Sequence, residues 1–374
     1  FILKIGLKES ELALKTKLYD THVYLNGHMV SFNGYLLPTH YSSIKNEHEL
    51  VRSKAGLFDV SHMGEFIISG NDAFSFLQKV TINDLELLKV GQAQYSAMCF
   101  EDGGIVDDLI VYRQEDYFMM VVNAANRKKN LNWLKKNCEY NVTIKDISDE
   151  MGLLAIQGPR SKDILQTLTD SNLSSIEFYN FINGKITGHD AVISRTGYTG
   201  ELGYEIYVSS DNINHVWNRI MDAGSEHGLG PAGLGCRDTL RLEMKYPLYG
   251  NDINETTNPI EAGLGWITRL GKSDFIGKSA LIEKKKKVNR RLVCLEMIER
   301  AIPRNGCQIY NDNELVGAIT SGTMSPSLGR GIGLGYVNIP FTEAGVELQI
   351  DIRGNKKSCV IIKPPFYKKG SLLD

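Results

Sequence analysis

The sequence predicts an α+β region followed by a small C-terminal β-barrel. Over residues 18–278, stretches of alternating apolar residues are interrupted by short amphipathic helices and hairpin turns, which is typical of α+β folds and unlike a doubly wound parallel sheet. From residue 292 onward only strand patterns remain. The length of 374 residues exceeds the usual size of one hydrophobic core, so we expect two or three domains.

The first part of the chain alternates helices with strands. Asn71 or Asp72 can cap a helix that runs to about Val80. A hairpin is predicted where Tyr95–Phe100 and Ile105–Tyr112 flank a glycine-containing turn. The remaining elements are predicted as a helix at 46–54, strands at 65–69 and 117–123, a helix at 124–137, a strand at 153–157, a helix with Pro159 at its first position, and a helix over 213–221.

The character of the chain changes after Lys278. Residues 279–291 are rich in charge and include the run Lys284–Lys287, which indicates a solvated linker or helix end or, alternatively, a docking surface for an acidic partner. Six strand-like stretches follow, near 292–298, 308–310, 316–320, 333–337, 346–353 and 358–362. We therefore divide the chain into an extension at 1–17, a region of two α+β subdomains at 18–278, a charged linker at 279–291 and a β-barrel at 292–374.

The composition excludes several classes of protein. The hydrophobic share of 42% and charged share of 23% are ordinary for a globular protein, and a net charge of −2 argues against a nucleic-acid or membrane-surface role. No apolar run reaches the roughly 18 residues of a membrane span. The six cysteines are scattered without a CxxC pair, so we expect reduced thiols and an intracellular protein, in the cytoplasm of a bacterium or the mitochondrial matrix of a eukaryote.

Glycine occupies every third position in the middle of Ser194–Val208, at Gly197, Gly200 and Gly203. Glycine loses more entropy on folding than other residues, so this density indicates a tight turn, a bulge or a close approach of the backbone to a ligand. The tyrosines between the glycines can stack on a heterocycle, and a carboxylate can accept paired N–H donors. A tight turn whose tyrosines belong to the core is the alternative.

Two adjacent aspartates, Asp107 and Asp108, interrupt an apolar strand. Aspartate is depleted in strands, and the alternation of side chains places one carboxylate on each face of the sheet. At least one of them therefore lies beside apolar neighbours, where an unpaired carboxylate is costly and its pKa is perturbed. The pair predicts either a functional site or a structural aspartate in the hairpin, and the alternation cannot decide which of the two would face a ligand.

Other motifs point away from nucleotides and metals. The run 228–233 matches a dinucleotide fingerprint formally, but it follows a helix and contains a proline, so we interpret it as a turn between helices and expect neither NAD nor flavin. The eight histidines form no metal-spaced cluster, so no metal is expected. Arg237 and Arg241 lie four residues apart on one helix face, which is typical of an intramolecular ion-pair ladder.

Several segments together carry a resemblance to a known family. SRTGYTGELGYE at 194–205, FDVSHMGEF at 58–66, GGIVDDLIVY at 103–112, AIQGP at 155–159, PAGLGCRDTLRLE at 231–243 and SGTMSPSLGRGIGLGYV at 321–337 stand in the order found in the aminomethyltransferase (T-protein) family of the glycine cleavage system. The chain resembles that family from about Leu18 to Tyr367. The resemblance implies interleaved, ferredoxin-like α+β subdomains that bind folate, followed by the barrel.

The resemblance also implies roles for particular residues. It makes Asp108 the catalytic residue and Glu205 the acceptor for the amino group and ring N–H of a pterin. His62 is expected to be a hydrogen-bonded wall residue and not a base. The other positions implied to bind folate are Arg237, Tyr198, Tyr95, Met63, Tyr246 and Lys368. At Lys368 some relatives have arginine, and a lysine can hold a carboxylate only as a point charge.

The activity implied is a tetrahydrofolate-dependent aminomethyl transfer. A lipoyl arm on the small H-protein carries the aminomethyl group, tetrahydrofolate takes its methylene carbon as co-substrate, and ammonia leaves. One alternative is a non-catalytic folate-binding relative that assists iron–sulfur assembly or transfer-RNA modification, but the K-G-C-[YF]-x-G-Q-E-like motif of such proteins is absent. Another is the folate half of a dimethylglycine or sarcosine oxidase, which needs a flavin domain for which this chain has no room.

Overall fold

The computed structural model describes residues 13–372, so most of the predicted extension at 1–17 lies outside the described residues. The helices of the described part are α1 (Tyr19–Tyr24), α2 (Ile44–Ser53), α3 (Ala73–Val80), α4 (Arg127–Lys136), α5 (Ser161–Gln166), α6 (Ile213–Gly224), α7 (Leu234–Glu243) and α8 (Lys278–Lys286). Short 3-10 helices span Leu85–Leu87, Ala124–Asn126, Leu173–Ser175 and Ser225–His227.

The strands of the region before α8 are β1 (Leu14–Lys15), β2 (Met29–Phe32), β3 (Tyr35–Pro38), β4 (Ala55–Asp59), β5 (Gly64–Ser69), β6 (Ala93–Cys99), β7 (Ile105–Arg113), β8 (Tyr117–Val122), β9 (Thr143–Asp146), β10 (Met151–Gln157), β11 (Phe181–Ile186), β12 (His189–Ser194), β13 (Gly203–Ser209) and β14 (Leu229–Pro231). The strands after α8 are β15 (Arg290–Met297), β16 (Gln308–Asn311), β17 (Glu314–Ser325), β18 (Arg330–Asn338), β19 (Glu347–Ile352) and β20 (Asn355–Ile362).

Two sheets organise the first region, and their strands are interleaved along the chain. The first sheet is antiparallel, in the order β6-β7-β8-β5-β9. The second has the order β11-β12-β13-β10-β4-β14, so β4 belongs to the second sheet although it precedes every strand of the first. β1, β3 and β2 form a separate small sheet. The predicted α+β architecture with interleaved subdomains is confirmed.

Each sheet is covered by helices on one face and by the other sheet on its inner face. Phe76 of α3 and Leu134 of α4 pack on the outer face of the first sheet, while Trp217 of α6 packs on that of the second. Between the sheets, Tyr112 of β7 and Tyr207 of β13 belong to one buried cluster. Because side chains alternate along a strand, each strand supplies one set of residues to the helix layer and the other to the space between the sheets.

The six C-terminal strands close into a barrel in the order β15-β18-β17-β16-β19-β20, which confirms the predicted β-barrel. The run that alternates in the sequence supplies Leu348 and Ile350 to its interior. Gly354 turns β19 into β20 with a positive φ of 83°, a conformation that glycine adopts without strain. The barrel packs on α7, and one of the contacts between them is a hydrogen bond of 2.9 Å that Arg241 donates to Ser321 of β17.

Three local predictions need correction. Pro159 is not the first residue of its helix, because α5 begins at Ser161. The run 228–233 is more than a turn between helices, since it contains β14, which pairs in parallel with β4. Most of the predicted charged linker is helical, because α8 extends to Lys286. The boundaries of the domains themselves stay a prediction. Within residues 13–372 no helix has the length and apolar character needed to cross a membrane.

Candidate active site

A cavity of about 1460 Å³ lies where the inner faces of the two sheets separate. β7 of the first sheet, β13 of the second, α7 and the barrel segment around β17 all contribute to its wall. Predicted site residues that line it are Met63, Tyr95, Asp108, Tyr198, Glu205, Arg237 and Tyr246. The cavity thus brings together seven of the eight predicted residues, although they are spread over most of the chain.

The two aspartates of β7 face opposite sides of the first sheet. Asp108 has the same orientation as Ile110 and Tyr112 and lines the cavity. Asp107 has the orientation of Leu109 and is fully buried on the side of α4. Sequence alternation required this split, but only the packing of the sheets decides that the second aspartate faces the cavity.

Two neutral side-chain donors hold Asp108 in place. The Tyr95 hydroxyl donates to Oδ2 at 2.9 Å, and Nδ2 of Asn123 donates to Oδ1 at 2.8 Å. Burial raises the pKa of Asp108 above its ordinary value, and the two hydrogen bonds oppose this shift by favouring the carboxylate. The Tyr95 ring stacks on Trp266 at a centroid distance of 6.1 Å.

Asp107 lies behind Asp108 in a cage of amides. Asn123, Asn126 and Asn130 donate to its carboxylate at 2.9, 2.7 and 2.5 Å. Burial, with the negative charge of Asp108 as a second cause, raises the pKa of Asp107 to about 7. Neither aspartate has an ion-pair partner within residues 13–372.

Glu205 approaches the cavity from the opposite sheet. It shares the inner face of β13 with Tyr207 and is only 8% exposed. Thr196 donates to its Oε2 at 2.5 Å. Burial raises the pKa of Glu205, while that hydrogen bond and the charge of Arg237 lower it. The remaining acceptor sites of this carboxylate are therefore available to a ligand that carries N–H donors.

The glycines before β13 allow backbone to pack against neighbouring side chains. A Cβ at Gly197 would lie 2.1 Å from Oε1 of Gln157, and one at Gly203 would lie 2.3 Å from its Nε2. Gly200 has φ +80° and is packed against Met244. These contacts answer the choice left open by the sequence: at these three positions glycine is required by a tightly packed turn.

The same turn carries Tyr198 into the cavity. Its ring stacks on Tyr246 at a centroid distance of 5.6 Å and an interplanar angle of 23°. Its hydroxyl donates to the backbone oxygen of Pro247. The Arg237 guanidinium lies over the Tyr198 ring, 4.7 Å from its centroid. Aromatic faces and one cation thus form a single wall.

The two arginines of α7, Arg237 and Arg241, have different surroundings. Arg241 is 1% exposed and pairs with Asp252 at 2.6 Å and with Asp238 at 2.8 Å, so the predicted ion-pair ladder is real for this residue. Arg237 lines the cavity and has no hydrogen-bond acceptor or ion-pair partner among residues 13–372. Burial lowers the pKa of Arg237 below its ordinary value. A guanidinium in this state suits an anionic ligand group.

Two residues are placed differently from what the sequence analysis expects. Lys368 is exposed and does not line the cavity. His62 does line the cavity, but its Nδ1 has no hydrogen-bond partner among the described residues, so the expectation of a hydrogen-bonded wall residue is wrong for that atom. Burial lowers the pKa of His62 to about 4, which keeps the ring neutral.

Other lining residues were missed by the sequence reasoning. Asn123, Tyr179 and Trp266 belong to this set. Asn123 is the last residue of the predicted strand 117–123, and a polar residue at the end of an apolar strand was the signal available. Trp266 is 62% exposed and lies in a stretch without regular periodicity, so no pattern marked it. Among residues 13–372 no group of three or more His, Cys, Asp or Glu is arranged to hold a metal ion.

Comparison with known proteins defines the class to which this fold and site belong. A family model described as "GCVT N-terminal domain" matches residues 18–272. A second, described as "Glycine cleavage T-protein C-terminal barrel domain", matches residues 290–368. The two matches correspond to the two-sheet region with its cavity and to the barrel.

Individual relatives agree over nearly the whole chain. "Aminomethyltransferase" of Bacillus subtilis is 48% identical over 359 residues, covering 95% of this chain and 99% of the relative. The protein of the same name from Halothermothrix orenii is 48% identical over 354 residues, with 94% and 99% covered. The crystal structure of glycine cleavage system aminomethyltransferase T from Bartonella henselae has a TM-score of 0.90 at 32% identity and covers 96% of this chain and 99% of that chain.

The chain belongs to the glycine cleavage T-protein family. Membership in this family confirms the predicted aminomethyltransferase activity. The alternative of a non-catalytic folate-binding relative is not favoured. The roles of individual residues stay predictions.

Proposed function

We propose that the cavity holds tetrahydrofolate between Glu205 and Asp108 and there transfers a one-carbon unit from the lipoyl arm of an H-protein. The observation that carries this proposal is that two carboxylates from opposite sheets line one cavity, and neither is paired with a cation of the described part of the chain. The charges of both act on the phenol of Tyr179, which lies within reach of each. A heterocycle bound between Asp108 and Glu205 would therefore contact a carboxylate on each side.

Glu205 recognises the pterin in this proposal. The pterin ring presents an amino group and a ring N–H side by side, and one carboxylate can accept both. Tyr198 and Tyr246 form a stacked aromatic wall beside it. Arg237, whose guanidinium has no ion-pair partner in the part of the chain that the structure describes, is assigned to an anionic or carbonyl oxygen of the folate. Met63 supplies apolar contact at the cavity wall.

Asp108 acts at the reacting nitrogen. Its carboxylate is fixed by Tyr95 and Asn123, so it can orient a folate N–H and stabilise positive charge that develops on the carbon–nitrogen unit. Since burial raises its pKa, the carboxylate can also take up the proton that leaves this nitrogen. Electrostatic stabilisation and positioning come first, and proton transfer second.

The overall step balances as follows. Two folate nitrogens each form a bond to the carbon, and the carbon loses its bonds to sulfur and to the amine nitrogen. The two protons lost by the folate nitrogens go to the amine, which leaves as ammonia, and to the sulfur, which leaves as a thiol. The products are 5,10-methylenetetrahydrofolate and the dihydrolipoyl arm. The enzyme's main task is to place one carbon between two large substrates.

The test is Asp108→Asn. We expect the variant to bind 5-formyl-tetrahydrofolate with wild-type affinity and to lose about two orders of magnitude or more in kcat for ammonia release, because an amide cannot stabilise the developing charge. Asp116→Asn, in the exposed turn after β7, is the matched control and should behave as wild type. Near-normal turnover of the Asp108 variant would remove this residue from the mechanism. A complex with 5-formyl-tetrahydrofolate should show Glu205 at the amino edge of the pterin and Asp108 at the other side.

We also propose that Lys284–Lys287, the C-terminal end of α8 and the residue after it, attracts the H-protein. All four side chains are exposed, and cations in the last turn of a helix are favourably placed. Lipoyl carriers tend to be acidic, and such charges accelerate encounter more than they tighten the complex.

Neutralising the four lysines to glutamine should raise the apparent KM for the carrier at low salt and leave folate affinity unchanged. The effect should shrink as ionic strength increases, because salt screens exposed charges. The same substitutions at Lys356 and Lys357, on the barrel, serve as the control. An unchanged KM at low salt would place the docking surface elsewhere.

A further inference from the structure

Asn123 stands between the two aspartates of β7. Its Nδ2 atom donates to Oδ1 of Asp107 at 2.9 Å and to Oδ1 of Asp108 at 2.8 Å, with a longer contact of 3.2 Å to the backbone oxygen of Asp108. A side-chain amide carries two N–H groups, so each carboxylate receives one of them. Both N–H groups are therefore committed, and the amide has a single orientation that satisfies both acceptors.

Asp107 is in turn fixed from the side of α4. Asn126 donates to its Oδ1 at 2.7 Å and Asn130 to its Oδ2 at 2.5 Å, and the backbone N–H of Asn123 adds a longer contact of 3.3 Å. Asp107 is 0% exposed, and Asn130 is 0% exposed as well. A buried carboxylate with this many donors has one position, so it acts as an anchor for the amide of Asn123.

We propose that Asp107 is a positioning residue for the cavity: acting through the Asn123 amide, it directs one N–H group at Asp108 and so fixes the carboxylate that faces the substrate. The inference rests on the proposed function of Asp108. It gives a reason for the adjacent pair of aspartates, since one carboxylate faces the substrate and the other holds the donor that orients it.

The surroundings of both carboxylates are consistent with this division. Lys129 of α4 and Tyr249 of the loop after α7 face Asp107, and the Lys129 ammonium donates to the Tyr249 hydroxyl at 2.8 Å. Asp108 is faced by Tyr95, Tyr179, Tyr198, Tyr249 and Asp252. No cation within residues 13–372 forms an ion pair with Asp107 or Asp108, so neutral amides and a phenol carry the positioning.

Replacing Asp107 by asparagine exchanges one acceptor oxygen for an NH2 group. The new NH2 group would face the donor of Asn130 at the Oδ2 position or those of Asn123 and Asn126 at the Oδ1 position, and in either orientation Asn123 would lose the charged acceptor that anchors its amide. With that anchor weakened, the hydrogen bond from Asn123 to Asp108 is no longer held in place, while the one from Tyr95 is unaffected. A hydrogen bond to a charged group contributes about 1.5–3 kcal/mol, which corresponds to roughly a 10- to 100-fold change in rate.

A double-mutant cycle tests the inference on the full chain. We expect Asp107→Asn to lower kcat about 10- to 100-fold with the KM for tetrahydrofolate within about threefold of wild type. In the background of Asn123→Ala, the same change at Asp107 should lower kcat by less than about twofold, because the residue through which it acts is gone. Asp116→Asn, exposed in the next turn, is the control and should leave both constants unchanged.

Additive losses in the cycle, or a kcat of Asp107→Asn equal to that of wild type, would overturn the inference. An inactive wild-type chain would instead remove the proposed function on which it rests. If Asp107→Asn does not fold, Asn130→Ala takes its place in the cycle, since it keeps both carboxylates and removes one donor to Asp107. The expected and contradicting outcomes are then the same.

Discussion

Charged side chains are treated in opposite ways in two neighbouring regions of the molecule. In the cavity, Asp108, Glu205 and Arg237 are buried or half-buried and have no ion-pair partner among residues 13–372. A few residues away, where α2 and α7 meet the barrel, Arg52 pairs with Glu201 at 2.7 Å and with Glu243 at 2.8 Å. The same helix α7 contributes to both regions.

This difference distinguishes charged residues that bind a ligand from charged residues that stabilise the fold. A buried charge whose partner is removed is strongly destabilising, so a paired network is kept for the structure. An unpaired charge at a cavity wall has its missing partner in the substrate. On this reasoning Glu201 and Arg241 are structural, and Glu205 and Arg237 are functional, although the two glutamates lie only four residues apart in sequence, as do the two arginines.

The largest expected effect is on the structural side. Arg241→Met should lower the free energy of unfolding by about 3–5 kcal/mol, because it leaves Asp252, fully buried, without its cation. Arg237→Met should change it by less than about 1 kcal/mol and weaken folate binding instead. Urea unfolding and folate titration of both variants measure the two effects. Equal losses of stability would contradict the division between the two arginines.

The network also predicts how stability depends on acidity. Hydrogen bonds and charges of His48 and Arg52 outweigh burial and hold the pKa of Glu243 at about 2. Because this pKa is lower than in the unfolded chain, the stabilisation is present above about pH 4.5 and is lost as pH falls towards 2, in total about 3 kcal/mol. Glu243→Gln should flatten this acid limb in unfolding experiments between pH 7 and 3. An unchanged slope would show that other carboxylates dominate it.

The next largest effect is expected from replacing Glu205, with Glu201 as its counterpart four residues earlier. Glu205→Gln should weaken the binding of 5-formyl-tetrahydrofolate by about 10- to 100-fold, because charge-assisted hydrogen bonds are replaced by neutral ones. Glu201→Gln is the matched variant: it should reduce thermal stability, since Glu201 accepts from Arg52 and Ser371, and leave folate affinity near wild type. Isothermal titration and thermal unfolding distinguish the two outcomes. The reverse pattern would exchange their roles.

Glu65 is a third case in the comparison of paired and unpaired charges, and we expect a smaller effect from replacing it. It is 1% exposed, both carboxylate oxygens lack a hydrogen-bond partner among the described residues, and it does not line the cavity. Burial raises its pKa well above the ordinary value. The folded state therefore holds the proton more tightly than the unfolded state, and stability is lost as pH rises from the unfolded pKa towards the folded one.

Glu65→Gln should consequently stabilise the fold at pH 8 by about 1–2 kcal/mol, with a smaller gain at pH 5. Thermal unfolding at both pH values measures the difference. Glu86→Gln, at an exposed position, is the control and should stay within about 0.5 kcal/mol of wild type. Destabilisation by Glu65→Gln at pH 8 would mean that this carboxylate has a partner in solution.

Much of the fold could be predicted because many of its elements have a local periodicity of apolar residues. The six barrel strands, the hairpin of β6 and β7 and the amphipathic helices were found from periodicity, with ends that differ by a few residues. β14 was missed because three residues that include two turn formers, Gly230 and Pro231, have no strand pattern of their own. Its pairing with β4 comes from a contact distant in sequence.

The sequence by itself determined the class of the fold, the presence of a carboxylate on each face of β7 and, through its motifs, the family. Only the tertiary structure decided that Asp108 and Arg237 face the cavity, that Arg241 pairs with Asp252, and that Lys368 lies outside the cavity. The physical reason is that periodicity assigns a side chain to a face of its own element. What that face meets depends on how two sheets, a helix and a barrel pack together.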